Sequence, residues 1–98
     1  MLYKVHKAYR PIIAVCDFEL FGKKFEEDEK VLDLTSDFYD GSKITSEEMI
    51  LSFQEGMKED SIFNLVGEKI CNLALDEGFI ESDGIKKIAG IPFAMILL

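Results

Sequence analysis

Tryptophan is absent from this chain of 98 residues, proline and cysteine occur twice each, and histidine occurs once. Each scarcity excludes something. With His6 as the single histidine, a His-rich metal site is impossible, and the serines and threonines lack the His–Asp company of a hydrolase triad. Cys16 and Cys71 stand among apolar neighbours without CxxC spacing, so they are expected as buried, reduced thiols of a cytoplasmic protein. Lys4, His6, Lys7 and Arg10 interrupt every early apolar run, which leaves no secretory signal pattern. The longest apolar run, Ile91 to Leu98, is far too short to span a bilayer, so no membrane partner is expected. Gly22-Lys23-Lys24 lacks the preceding glycine of a phosphate loop.

What is present describes an ordinary globular chain. Hydrophobic residues make up 48% and charged residues 31%, too apolar for disorder, and the length suits one domain over residues 1–98. The net charge of −8 is unevenly spread: residues 17–60 hold 14 acids against five lysines, whereas residues 1–16 carry Lys4, Lys7 and Arg10 and no acid. Such a surface repels a phosphate backbone, so direct binding of duplex nucleic acid is not expected. The basic opening segment is available to touch RNA or to pair with the acidic belt.

Hydropathy patterning predicts an α+β domain: a mainly antiparallel sheet of about five strands with two principal helices packed on it. Tyr3 to Ala8 and Ile12 to Cys16 read as antiparallel strands around Pro11, and Val31 to Leu34 as a third. Glu26 to Lys30 reads as a solvated acidic loop, and Ser36 to Gly41 as a short helical turn. Thr45 and Glu48 fit a capping box, with Ile44 and Met49 placed for a hydrophobic staple ahead of an apolar stripe of Met49, Ile50, Phe53 and Met57. Ile62, Leu65, Val66, Ile70, Leu73 and Ala74 recur at helical spacing, which predicts one long second helix from Ser61 to Glu77, closed by Gly78. Ile85 to Ile88 and Phe93 to Leu97 complete the sheet. The last strand is apolar on both faces, so the loop around Phe38 and Tyr39, or a second copy in a homodimer, is expected to cover the side the helices leave open.

Two polar pairs beside glycines are the site signals. Asp17 and Glu19, at period-two spacing, would present two carboxylates on one face of a continuing strand. Asn64 and Glu68, read on the second helix, lie one turn apart with Gly67 between them, where a helical glycine costs about 1 kcal/mol against alanine. If the second strand packs beside that helix, Asp17, Glu19, Asn64, Gly67 and Glu68 meet at one rim of the sheet. Read as structure alone, Asn64 and Glu68 brace their own helix.

Four ordered segments, Ala14 to Lys23, Phe38 to Gly41, Asn64 to Glu68 and Gly90 to Ala94, resemble the archaeal proteins grouped as domain of unknown function family 424. The resemblance covers nearly the whole chain. It implies a small single-domain protein without an assigned activity, and by genomic association a role linked to translation. It also implies that relatives commonly carry histidine where this chain has Phe93, so chemistry resting on that histidine would be absent here. Two functions compete on these grounds. The favoured one is a non-enzymatic adaptor that binds a protein or ribonucleoprotein partner, with no cofactor and no resident metal. The alternative is a small enzyme or ligand binder using Asp17, Glu19, Asn64 and Glu68, whose oxygen-only donors would suit Mg²⁺ or Ca²⁺ over Zn²⁺.

Overall fold

Two strands of opposite chemistry set the architecture. β1 (Leu2–His6) and β2 (Ile12–Cys16) pair antiparallel, as the alternation about Pro11 predicts, with Leu2 opposite Cys16. β2 then pairs on its other side, in parallel, with a strand formed where the helical spacing predicts a helix. The computed structural model describes residues 1–97.

In chain order, the hairpin β3 (Lys24–Glu27) and β4 (Lys30–Asp33) follows β2, then the two-residue β5 (Ser42–Lys43), α1 (Ser46–Lys58), β6 (Ile62–Val66), α2 (Glu68–Asp76), β7 (Lys86–Ile88) and β8 (Ile91–Ile96). Six strands form one mixed sheet in the order β5-β1-β2-β6-β8-β7, and β3-β4 form a separate ribbon. The α+β expectation holds, but the sheet is larger than five strands, and its central β2–β6 pairing is parallel while the other pairings are antiparallel.

The predicted second helix is corrected in its first third. Ile62 to Val66 is an extended strand, and α2 begins only at Glu68. Both readings bury Leu65 and Val66. Phe63 decides between them, because it is fully buried while its neighbours Ile62 and Asn64 are half-buried, which is a two-residue period. Gly67 makes the break: its φ of +123° is a conformation that side chains rarely adopt, and it turns the strand directly into the helix. The acidic stretch around Glu26 to Lys30 is likewise a hairpin instead of a loop, turning at Asp28 with φ of +55°.

α1 and α2 cover one face of the sheet. Met49 and Phe53 of α1 and Ile70 and Ala74 of α2 pack on Ile13, Val15, Phe63 and Leu65. Gly56 lets α1 approach closely, since a Cβ there would collide with the Phe63 ring. The capping box at Thr45 forms as the sequence implies, with the Glu48 N–H donating to Thr45 Oγ1 and the Thr45 N–H donating to Glu48 Oε1. On the opposite face, Leu2, Cys16, Leu34 and Val66 form a second core under Phe25 and Leu32 of the ribbon and Tyr39 of the following turn. The ribbon and the Tyr39 turn therefore shield one end of this face. The other end stays open, with Met95 58% and Leu97 64% exposed along the same alternation.

Candidate functional site

The expected convergence occurs in part, and for a structural reason. Asp17 does not continue β2. It leads into a short 3-10 turn at Phe18–Leu20, and its side chain is buried against the start of α2. The Lys69 N–H donates to Asp17 Oδ2 at 2.9 Å and the Ile70 N–H donates to Oδ1 at 3.0 Å. Gly67, in the N-cap position, has no side chain to perform this task. Asp17 thus caps α2 from another part of the chain, placing a carboxylate where free N–H groups and the helix dipole present partial positive charge. Burial pushes its pKa above the ordinary carboxylate value, and the two backbone donors and Lys69 draw it back only in part. Glu19 stays at the surface, where it reaches Lys69 Nζ at 3.5 Å, a contact open to solvent and worth little.

The buried thiols lie beside this carboxylate. Burial, with the Asp17 charge next in weight, pushes both Cys16 and Cys71 up to about 11. Neither is poised as a nucleophile, because the thiolate is the reactive form.

Asn64 and Glu68 part company. Glu68 opens α2 and borders a hollow of about 400 Å³ together with Asn72, Ser82 and Lys87. Asn64 belongs to β6, opposite Ala14, on the face away from the helices. Ala14 precedes Asp17 by three residues, about 10 Å of strand, so one small ligand does not contact both Asp17 and Asn64. The helical Asn64–Glu68 brace also disappears, because the two residues share no helix.

A separate groove surrounds Asn64. Leu32, Tyr39, Phe93, Met95 and Lys86 surround it in a groove of about 290 Å³ on the open sheet face. Burial lifts the Tyr39 phenol to about 12, so it remains a neutral donor. The Asn64 amide makes no hydrogen bond to the described residues, although asparagine is disfavoured in the middle of a strand. Helical spacing places Asn64 beside Glu68, whereas the structure sets it on β6 with Tyr39, Phe93 and Met95 around it, company that the sequence does not indicate. The signal available was a lone amide in an otherwise apolar five-residue run.

Fold and site together define a small α+β protein with a helix-covered sheet and a partly open opposite face that carries a groove. Residues 6–98 match the family model described as protein of unknown function, DUF424, and the chain belongs to that family. Among solved structures it is similar to an uncharacterized conserved protein from Methanopyrus kandleri. That structure superposes with a TM-score of 0.83 at 24% identity, over 98% of this chain and 90% of the other, a likeness that shows the fold. No curated protein matches. Among the described residues, no helix is long and apolar enough to cross a membrane.

Proposed function

We propose that this protein is a small non-enzymatic adaptor whose protein partner docks on the open end of the sheet, over the Asn64 groove. The single observation carrying this reading is the half-buried Asn64 amide on a central strand, without a hydrogen bond among the described residues and lined by Tyr39, Phe93 and the exposed side chain of Met95. An amide offers one acceptor and two donors, the complement of a peptide backbone, and apolar walls take up the flanking side chains. Leu97, next but one to Met95 and likewise exposed, extends the apolar surface beyond the groove, as a partner of peptide length requires. Asp17 is already engaged by two backbone donors, which argues against the competing reading in which it holds a cation or substrate.

The family resemblance directs the search for the partner to the translation apparatus, including its ribonucleoprotein assemblies. Affinity capture from the native cell at low and high salt, with the intact protein and with Met95→Asp in parallel, tests the proposal. A partner retained at high salt by the intact protein and lost with Met95→Asp supports it. Capture that is indifferent to Met95→Asp, or that disappears wholly with salt, removes this face from consideration.

A further inference from the structure

The Asn64 groove is opposite in charge to the chain around it. The sequence holds 19 acids against 11 lysines and arginines, yet no carboxylate lines this groove, and its one charged residue is Lys86. Its polar side chains are all able to donate. The Lys86 ammonium gives one N–H to the Asp83 carbonyl at 3.3 Å, which leaves two more. The Tyr39 hydroxyl and the Asn64 amide make no hydrogen bond to a described residue. Neither is shut off from solvent, since Ser61 Oγ is the one buried side-chain polar atom without a partner among the described residues.

Strand register fixes where these donors stand. Phe93 of β8 lies between Val66 of β6 and Lys86 of β7, all on the face away from the helices. Asn64 and Met95 form the next rung on that face, about 7 Å along the strands. Leu32 and Tyr39 close the groove at the Phe93 end, whereas Met95 and Leu97 lead out of it at the other. The sheet edge beside this exit is also open. The Gly67 N–H donates to the Pro92 carbonyl, so β8 turns the backbone groups of Pro92, Ala94 and Ile96 toward β6 and those of Phe93 and Met95 outward. Phe93 meets Lys86 there, but β7 has begun only at Lys86, and Met95 meets no described strand.

From this arrangement we infer that the groove captures the C-terminal carboxylate of a partner polypeptide, held by Lys86, the Asn64 amide and the Tyr39 hydroxyl, with the preceding residues leaving in extended form along β8 past Met95 and Leu97. This rests on the docking reading above and names what docks. A carboxylate only accepts hydrogen bonds, which matches an ammonium, an amide N–H and a phenol. The closed end selects a chain terminus, because an acidic side chain within a chain brings residues on both sides of it. An apolar last side chain packs against Leu32 and Phe93, and the outward backbone groups of Met95 pair with the trailing strand. On a chain of net charge −8, a groove with a cation and no acid is where an anion is admitted.

The test is a ¹H–¹⁵N NMR titration of the intact chain at pH 7 and fixed ionic strength. The probes are an acetylated pentapeptide ending in Val-Phe-Leu with a free carboxylate, the same peptide amidated, and a peptide blocked at both ends with a glutamate between valine and phenylalanine. Saturable shifts of the Asn64 side-chain amide and of the Phe93 and Met95 backbone are expected, with the amidated peptide at least about tenfold weaker. Lys86→Met should weaken the free-carboxylate peptide about tenfold, and Tyr39→Phe several-fold. Both variants should fold as the native protein does, since Lys86 is exposed and Tyr39→Phe removes only a hydroxyl without a partner among the described residues. Equal binding of the amidated peptide, equal or tighter binding of the internal glutamate, or no saturable shift at these residues up to about 5 mM peptide overturns the inference. The two readings fail separately. Partner capture that Met95→Asp abolishes, beside an amidated peptide that binds as well as the free acid, keeps the docking face and overturns carboxylate capture.

Discussion

Gly67 lies so close to the carboxylate of Asp17 that a Cβ on the glycine would fall within the van der Waals envelope of Asp17 Cγ and Oδ2. The two residues are fifty positions apart and act as one device. The glycine turns β6 into α2 without a side chain, and the aspartate supplies the cap that the glycine cannot. Neither works without the other at this distance.

Gly67→Ala is therefore expected to cost at least about 2 kcal/mol, from a strained φ and from displacement of the Asp17 carboxylate. Urea unfolding measures it. Asp17→Gly made in the same chain should relieve only the steric part, so the two substitutions should show coupling in a double-mutant cycle.

The raised Asp17 pKa gives a signed pH dependence. A folded-state value above the unfolded one, ordinarily 3.8, means that protonation favours the folded state. This contribution is fully present below about pH 4 and is lost as pH rises through the folded value. Stability of the native protein relative to Asp17→Asn should accordingly fall as pH climbs from 4, measured by urea melts at pH 3 to 7. A rise over that window would mean that the two backbone donors outweigh burial.

Both thiols should resist modification. With Cys16 fully buried, Cys71 1% exposed and both pushed to about 11, a thiol reagent at pH 8 should react only as fast as the protein opens. Rapid labelling of either cysteine under native conditions would contradict their position beside Asp17.

Asn64 separates a binding role from a structural one. Its amide makes no hydrogen bond among the described residues and is disfavoured in a strand, so Asn64→Val should leave stability unchanged or raise it by roughly 0.5 kcal/mol while weakening partner capture. A loss of more than about 1 kcal/mol by thermal or urea melting would make the amide part of the scaffold.

Thr45→Ala should cost about 1 kcal/mol, because both halves of the capping box are formed. This helix start was the most legible feature of the sequence, since Thr45, Glu48, Ile44 and Met49 act over a few residues and need no knowledge of the fold. β1, β2 and the last two strands were legible for the same reason. Ser61 to Val66 was not. Its buried positions fit a helical period when read together with Ile70, Leu73 and Ala74, and only the parallel partner β2 makes the extended form win. Aromatic and β-branched enrichment over five residues, followed by glycine, was the available hint. The β3–β4 hairpin was hidden by its charge: only Phe25 and Leu32 among its residues are half-buried, and the turn at Asp28 uses no glycine. For the site, the meeting of Asp17 with the start of α2 was visible in outline. The Asn64 groove depended on which face β6 presents, and the sequence alone could not assign that face.

The parallel alignment of β2 with β6 has a consequence for how the chain acquires its form. β1–β2 and β7–β8 join near neighbours and can close quickly, but Ile12 meets Ile62 only after a fifty-residue excursion has been gathered in. No turn nucleates that seam, and the entropy of closing it is spent before the Phe63 and Leu65 contacts repay it. Refolding is expected on the millisecond-to-second scale of non-local topologies. Substitutions along the seam, such as Val15→Ala or Leu65→Ala, should slow refolding more than they hasten unfolding.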